Sequence, residues 1–273
     1  MLIAQITDAH IVEKDRHYMG DPATKIHERL FRVISYLNNL DPQPDFILFT
    51  GDVVDKGEKE CYVQLRELLE PLKAPFYVIP GNHDVREEMR SAFYDQPYMP
   101  LSGFIQYAIE EQPLRLIAID TLEQGSAYGM ICDERLGWIE KTLEQEPAKP
   151  TLLFMHHPPV KIGVNLFDAI NCRAPLQFEI LVRNYKNIVG ILAGHTHQGY
   201  VTSFAGKPCF IAPSIAPSHY ITPASAERVS ALELDDPAVS LYEWHEGTVI
   251  ISQVRRVKED YRRIDWTELA HVR

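Results

Sequence analysis

Five times along the chain, a short apolar run breaks off into a string of aspartate, asparagine and histidine. Leu2–Ile6 runs into Thr7-Asp8-Ala9-His10, and residues 46–49 run into Thr50-Gly51-Asp52-Val53-Val54-Asp55. Phe76–Ile79 runs into Pro80-Gly81-Asn82-His83-Asp84, Thr151–Met155 into His156-His157-Pro158-Pro159, and Ile188–Ala193 into Gly194-His195-Thr196-His197. Apolar runs of this length, bounded by turn residues, read as buried strands. Open α/β sheets hold their ligands at the carboxyl edge of the strands. A fold that satisfies this sequence therefore brings five strand ends together. Extended backbone would put Asp8 and His10 on one side, and likewise His195 and His197.

The segments between these runs have helical periodicity. Pro22 opens a helix whose Ile26, Leu30, Val33, Ile34 and Leu37 share a face, and Asp41-Pro42-Gln43-Pro44 stops it. Leu65, Leu68, Leu69 and Leu72 mark a second helix, so the first eighty residues read β-α-β-α-β. Residues 105–109 and 114–119 read as a strand pair, Asp133 as the cap of a helix carrying Leu136, Ile139 and Leu143, and residues 176–185 as a further helix. After His197 the pattern becomes a meander: residues 200–204, 208–211, 229–234, 240–245 and 248–254, with Glu246-Gly247 as a hairpin turn. The meander is expected to complete a second sheet packed on the first, and to supply a cap. One domain is expected over residues 1–254. The charged tail 255–273, with Tyr261, Ile264 and Trp266, is either a frayed amphipathic end or an arm packed on a second subunit.

Composition narrows the partners. The chain has 273 residues, enough for one large core, and a net charge of −11. That charge argues against polymeric nucleic acid and against anionic membranes, but not against a small anionic substrate, because bound cations can reverse the local field. Cys61, Cys132, Cys172 and Cys209 are scattered without C-x-x-C spacing, as in reduced cytosolic proteins. No leader peptide and no apolar stretch of about 20 residues, the length of a membrane span, is visible, so a cytoplasmic protein is expected.

Asp8, His10, Asp52, Asn82, His156, His195 and His197 are seven oxygen or imidazole donors, with no thiolate. Seven are too many for one metal ion and suit two that share one ligand; Asp52 is the best candidate for sharing. Mixed oxygen and nitrogen ligands favour Fe, Mn, Zn or Co over Ca and Mg. Asp55 could hold a histidine in its tautomer from behind. His83 is left free to give a proton or hydrogen bond to a phosphoryl group or leaving oxygen, with Asp84 to orient it.

In this order the motifs resemble the calcineurin-like metallophosphoesterase superfamily: D-x-H, G-D-x-x-D, G-N-H-D, H and G-H-x-H, all present between residues 8 and 197. The resemblance implies a four-layer αββα sandwich of two mixed sheets flanked by helices. It implies Asp8, His10 and His197 on one metal, Asn82, His156 and His195 on the other, Asp52 bridging, and direct attack on phosphorus by a metal-bound hydroxide. The likeness is greatest to the bacterial cyclic-nucleotide phosphodiesterases and glycerophosphodiesterases, which implies a small phosphodiester substrate and a homodimer or an assembly of dimers. His157 reads as the base of the His-His-Pro-Pro turn, with a place behind the ligands as the other reading. His219 lies either near the substrate mouth or exposed on a loop. A phosphomonoesterase or protein phosphatase on the same core, with Arg86 or Arg173 gripping a dianion, is the first alternative. A non-catalytic metal-bound scaffold for a protein partner is the second.

Overall fold

Alternation of side chains along the strands sorts this chain into layers. In the computed structural model, which describes residues 1–221, 231–245 and 250–259, Leu116 and Ala118 enter one core and their neighbours Ile117 and Ile119 enter another. The same division holds for Leu152 and Phe154 against Leu153 and Met155. Strands covered on both faces are apolar throughout, which is why these runs do not alternate with polar residues.

Eleven strands build the two main sheets: β1 (Leu2–Ile6), β2 (Phe46–Thr50), β3 (Phe76–Ile79), β4 (Tyr107–Ile109), β5 (Arg115–Ile119), β6 (Thr151–Met155), β7 (Ile188–Ala193), β8 (Tyr200–Phe204), β9 (Lys207–Ile211), β10 (Ala238–Trp244) and β11 (Ile250–Arg256). The first sheet has five strands in the order β11-β10-β1-β2-β3, and the second has six in the order β8-β9-β7-β6-β5-β4. Both are mixed, because β1, β2 and β3 run parallel while β10 is antiparallel to β1, and β5, β6, β7 and β9 run parallel between antiparallel edges.

Helices α1 (Ala23–Asn38) and α2 (Lys59–Leu69) bury Ile26, Leu30, Val33, Leu37, Tyr62 and Leu65 in the core that the first sheet shares with the inward side of the second. Helices α4 (Asp133–Gln145) and α6 (Leu176–Asn184) bury Ile139, Leu143, Phe178 and Val182 against the outward side of the second sheet. The layers are thus helix, sheet, sheet, helix. Two short helices, α3 (Arg86–Ala92) and α5 (Asn165–Ile170), lie near the strand ends. Asp133 is the first residue of α4 rather than its cap, which is Cys132; its carboxylate still meets the positive end of the helix.

Register levels the strand ends. Ile6 pairs with Phe49, Thr50 with Ile79, and Leu192 with Phe154. Buried Gln5 ties the two sheets together: its amide donates to Thr50 Oγ1 and to the Ala193 carbonyl, both at 2.8 Å, and its oxygen accepts from Tyr242 at 2.6 Å.

The expected meander is divided between the sheets. The β8–β9 hairpin extends the second sheet, but β10 and β11 return to the first, where Leu2 pairs with Glu243 and Gln5 with Ser240. Local hairpin signals state which strands pair and not which distant edge they join. Residues 229–234 reduce, among the described residues, to Leu232–Glu233 paired with Ser218–His219. The strand β11 runs to Arg256, past the expected boundary at residue 254. The turn Glu246-Gly247 and the tail residues Tyr261, Ile264 and Trp266 lie outside the described residues. Among those described, no helix is long and apolar enough to cross a membrane.

Candidate metal centre

The strand ends do not continue as extended chain. β1 stops at Ile6 and β7 at Ala193, and the backbone then turns left-handed at Asp8 (φ 51°), His10 (φ 48°), His195 (φ 75°) and His197 (φ 57°), as it does at Asp52 (φ 47°). Each such residue costs about 1–3 kcal/mol unless its surroundings compensate. The expectation that His195 and His197 share a side fails with its premise. The turn sends them to opposite ends of one cluster, His197 beside Asp8 and His10, and His195 beside His156. Asp8 and His10 arrive together by the same kind of turn.

At the first end, His197 Nε2 lies 3.5 Å from Asp8 Oδ1, and His10 Nε2 lies 3.9 Å from the same oxygen and 3.1 Å from His197 Nε2. His197 Nδ1 donates to the Pro217 carbonyl at 2.9 Å, which turns the Nε2 lone pair towards His10 and Asp8. Asp8 Oδ2 accepts the Thr7 hydroxyl at 2.6 Å and the His195 backbone N–H at 3.0 Å, which leaves Oδ1 free. At the other end, His156 Nδ1 donates to the Thr50 carbonyl at 2.7 Å, so Nε2 is the nitrogen turned to the cluster. Between the ends stands Asp52: its Oδ2 is 3.2 Å from His156 Nε2 and 3.7 Å from His10 Nε2.

Asp8 Oδ1, Asn82 Oδ1, His156 Nε2 and His195 Nε2 are buried without a hydrogen-bond partner among the described residues. Several buried acceptors facing one another with no donor would be costly. A divalent cation among them removes the cost, and this nitrogen and oxygen set fits one. The His and Asp side chains form overlapping groups whose ligating atoms lie within 4.8 Å of one another: Asp8 with His10 and His197, Asp8 with Asp52 and His156, and His156 with His157 and His195.

Protonation follows from the same geometry. Burial pushes His10 down to about 4 and His195 well below its ordinary value, so both are neutral, the state a ligand needs. His156 is the exception. Burial opposes its charge, but the nearby Asp52 carboxylate overrides that and raises it to about 9. Asp52 is held well below the usual carboxylate range by His156, again against burial.

Gly51 lets these groups approach. It has φ 91°, and a Cβ there would lie 2.5 Å from His156 Nδ1, so only glycine fits.

His83 stands at the mouth with a half-exposed side chain. Its Nδ1 donates to the Asp55 carbonyl at 2.6 Å and lies 3.3 Å from Asp55 Oδ1. Burial opposes its charge, yet Asp55 and Asp52 raise it to about 10. Asp55 Oδ1 is also 3.6 Å from His10 Nδ1, so this one residue stands behind two histidines. An open cleft of about 360 Å³ beside His83 is lined by Asp55, Lys56, Asn82, Gln124 and Ser126 among others. Asp84 does not orient His83. It is buried, and accepts from the backbone N–H of Gly81 at 2.8 Å, of Val53 at 3.3 Å and of Val54 at 3.4 Å, and from the Tyr62 hydroxyl at 3.0 Å. Asp84 therefore clamps the loop after β2 to the loop after β3. Burial and the Asp52 charge push it up to about 7.

Tyr18, from the polar loop after His10, stacks on the His10 ring at 4.2 Å. His219 is half-buried, with its ring 5.4 Å from that of His197. His157 is fully buried, with its ring 4.6 Å from that of His195. Gln5, Thr7, Thr50 and the Pro217 carbonyl, which support the ligands, escaped the sequence reading; the one visible signal was a glutamine inside the apolar run Leu2–Ile6.

Residues 1–199 match the family model described as calcineurin-like phosphoesterase. The chain belongs to the calcineurin-like phosphoesterase family. A protein of Arcobacter nitrofigilis named "Probable glycerophosphodiester phosphodiesterase GpdQ" is 34% identical over 252 residues, spanning 90% of this chain and 89% of that protein. A "cAMP/cGMP dual specificity phosphodiesterase" of Mycobacterium tuberculosis is 31% identical over 228 residues, spanning 82% of this chain and 70% of that protein. Among solved structures, a dimetal phosphatase from Danio rerio superposes with a TM-score of 0.59 at 13% identity, covering 88% of this chain and 94% of the other, a likeness of fold.

Proposed function

We propose that this protein hydrolyses small phosphodiesters, of the cyclic-nucleotide or glycerophosphodiester kind, with two divalent metal ions. The observation that carries the reading is the position of Asp52 Oδ2, between His10 of one donor group and His156 of the other. Asp8, His10 and His197 would hold one ion, Asn82, His156 and His195 the second, and Asp52 both. The donor types suit Fe, Mn, Zn or Co. Bound there, such ions would lower the pKa of a water and neutralise charge on phosphoryl oxygens.

The chain's own residues supply the rest. The Asp55 carbonyl fixes one proton of His83 on Nδ1, and because Asp55 and Asp52 raise the group to about 10 against its burial, a second proton is held on Nε2 and can be given to a phosphoryl or leaving oxygen. Asp8 and Asp52 each commit one oxygen to backbone N–H groups, which holds their other oxygens in place. Tyr18 covers the face of His10 and shields it from water.

Two observations favour a diester over a monoester dianion. The relatives cited above are named phosphodiesterases. The two arginines that would grip a dianion are engaged elsewhere: Arg86 pairs with Asp120 at 2.7 Å, and Arg173 lies over the Tyr128 ring. The test is an assay of metal-stripped protein reloaded with Mn, on bis(p-nitrophenyl) phosphate and p-nitrophenyl phosphate side by side. Faster turnover of the diester, lost in His83→Ala and Asn82→Ala, is expected. A clear preference for the monoester would move the protein to the phosphatase reading, and no metal-dependent turnover would favour a scaffold.

A further inference from the structure

The strand β6 delivers two histidines in a row, and the site described so far uses only His156. The His157 ring has its Nδ1 2.8 Å from Thr121 Oγ1, at the end of the neighbouring strand β5. The Thr121 hydroxyl oxygen also accepts the His157 backbone N–H at 3.3 Å, so it fixes main chain and ring together. Thr121 Oγ1 can accept a proton from Nδ1, and a ring protonated there leaves Nε2 as a lone pair.

That Nε2 is buried with no partner among the described residues, as are the Nε2 atoms of His156 and His195. The three side chains offer ligating nitrogens within 4.8 Å of one another. Their rings stand 4.6 Å (His157–His195) and 4.7 Å (His156–His157) apart. Gly129 lies so close that a Cβ there would be 2.5 Å from the His157 ring. Buried nitrogens of His157 and His195 without a partner carry a desolvation cost, and one cation held with His156 satisfies them.

We propose that His157 supplies a third imidazole to the cation held by His156 and His195, and that Thr121 is the residue that positions it. The proposal rests on the two-metal reading above and adds a ligand to one of its positions. It makes the positions unequal, because the His157 end becomes richer in nitrogen. Nitrogen-rich ligand sets favour Zn or Co over Mn.

The test uses the full chain, stripped of metal and titrated with Co. Wild-type protein is expected to take up two equivalents. With ¹⁵N-labelled histidine, the Co-loaded protein should show paramagnetically shifted ring N–H signals from five imidazoles: His10, His156, His157, His195 and His197. His157→Phe, which keeps a ring and removes the lone pair, should lose one shifted signal and at least tenfold affinity in one binding step, with the other step unchanged. Thr121→Val should keep all five signals and weaken the same step by about 10-fold, as loss of an outer-shell partner does. Four shifted signals in wild type would overturn the proposal even if His157→Phe failed to fold. Weaker binding in His157→Phe with the wild-type set of signals would reduce His157 to a packing residue. Uptake of fewer than two equivalents by wild type would overturn the two-metal reading, and the proposal with it.

Discussion

The His83 backbone N–H donates to Asp52 Oδ1 at 2.9 Å, so only Oδ2 of that carboxylate faces the two donor groups. In the two-metal reading the shared ligand would therefore be a single oxygen, held in place by the loop that also carries His83. Asp52→Asn keeps the shape and removes the charge. We expect metal content below two equivalents and activity down by at least about 100-fold, since a Lewis-acid site depends on its shared anionic ligand. Elemental analysis and kcat on the diester check this.

His83→Ala should lower kcat by about 10²–10⁴-fold, the usual worth of a general acid, and leave metal content unchanged. Asp55→Ala should do less harm. The main-chain carbonyl that binds His83 Nδ1 survives the substitution, and only the carboxylate contacts at 3.3 Å and 3.6 Å are lost. An equal loss in the two variants would show that the carboxylate, rather than the carbonyl, fixes the imidazole.

Metal binding should be proton-linked. In metal-free protein His156 is raised to about 9, so at neutral pH it carries a proton that a cation must displace. Apparent affinity should rise about tenfold per pH unit up to about pH 9 and then level off. The sign for stability is the opposite. A raised folded pKa stabilises the metal-free protein fully below the ordinary value near 6.5, and this contribution is lost as pH rises through about 9. The melting temperature of metal-free protein should fall across that window, and His156→Gln should flatten the fall. A pH-independent affinity over the same range would contradict the pairing of His156 with Asp52.

Gly51→Ala should destabilise the fold by about 1–3 kcal/mol, because it forces a side chain into a left-handed position. It should also weaken metal binding, since the new Cβ meets the His156 ring. Denaturant melts of metal-free protein separate the first effect from the second. A neutral substitution would mean that the loop has room to move.

The candidate ligand residues were legible because each lies just past an apolar run: Asp8 after Leu2–Ile6, Asp52 after residues 46–49, His156 after Thr151–Met155. What stayed hidden depends on contacts between distant segments. Asp84 finds Val53, Val54 and Tyr62, which no local pattern links to it. His157 turns inward because Thr121 is waiting at the end of the next strand. The left-handed turns at His195 and His197 were invisible because such conformations are signalled by glycine, and neither position has one. The destination of β10 depends on which edge of β1 lies open, a property of the assembled sheet.

That last feature bears on how the protein is made. β1 is an inner strand, flanked by β2 on one side and by β10, from far down the chain, on the other. Until residues 238–244 leave the ribosome, the strand that carries Asp8 and His10 has one bare, apolar edge. A chain that stopped short of β10 would contain every candidate ligand residue named above, yet leave the first sheet unfinished at that edge. The candidate ligands are all encoded by residue 197, and the strand that completes the sheet aligning them is not.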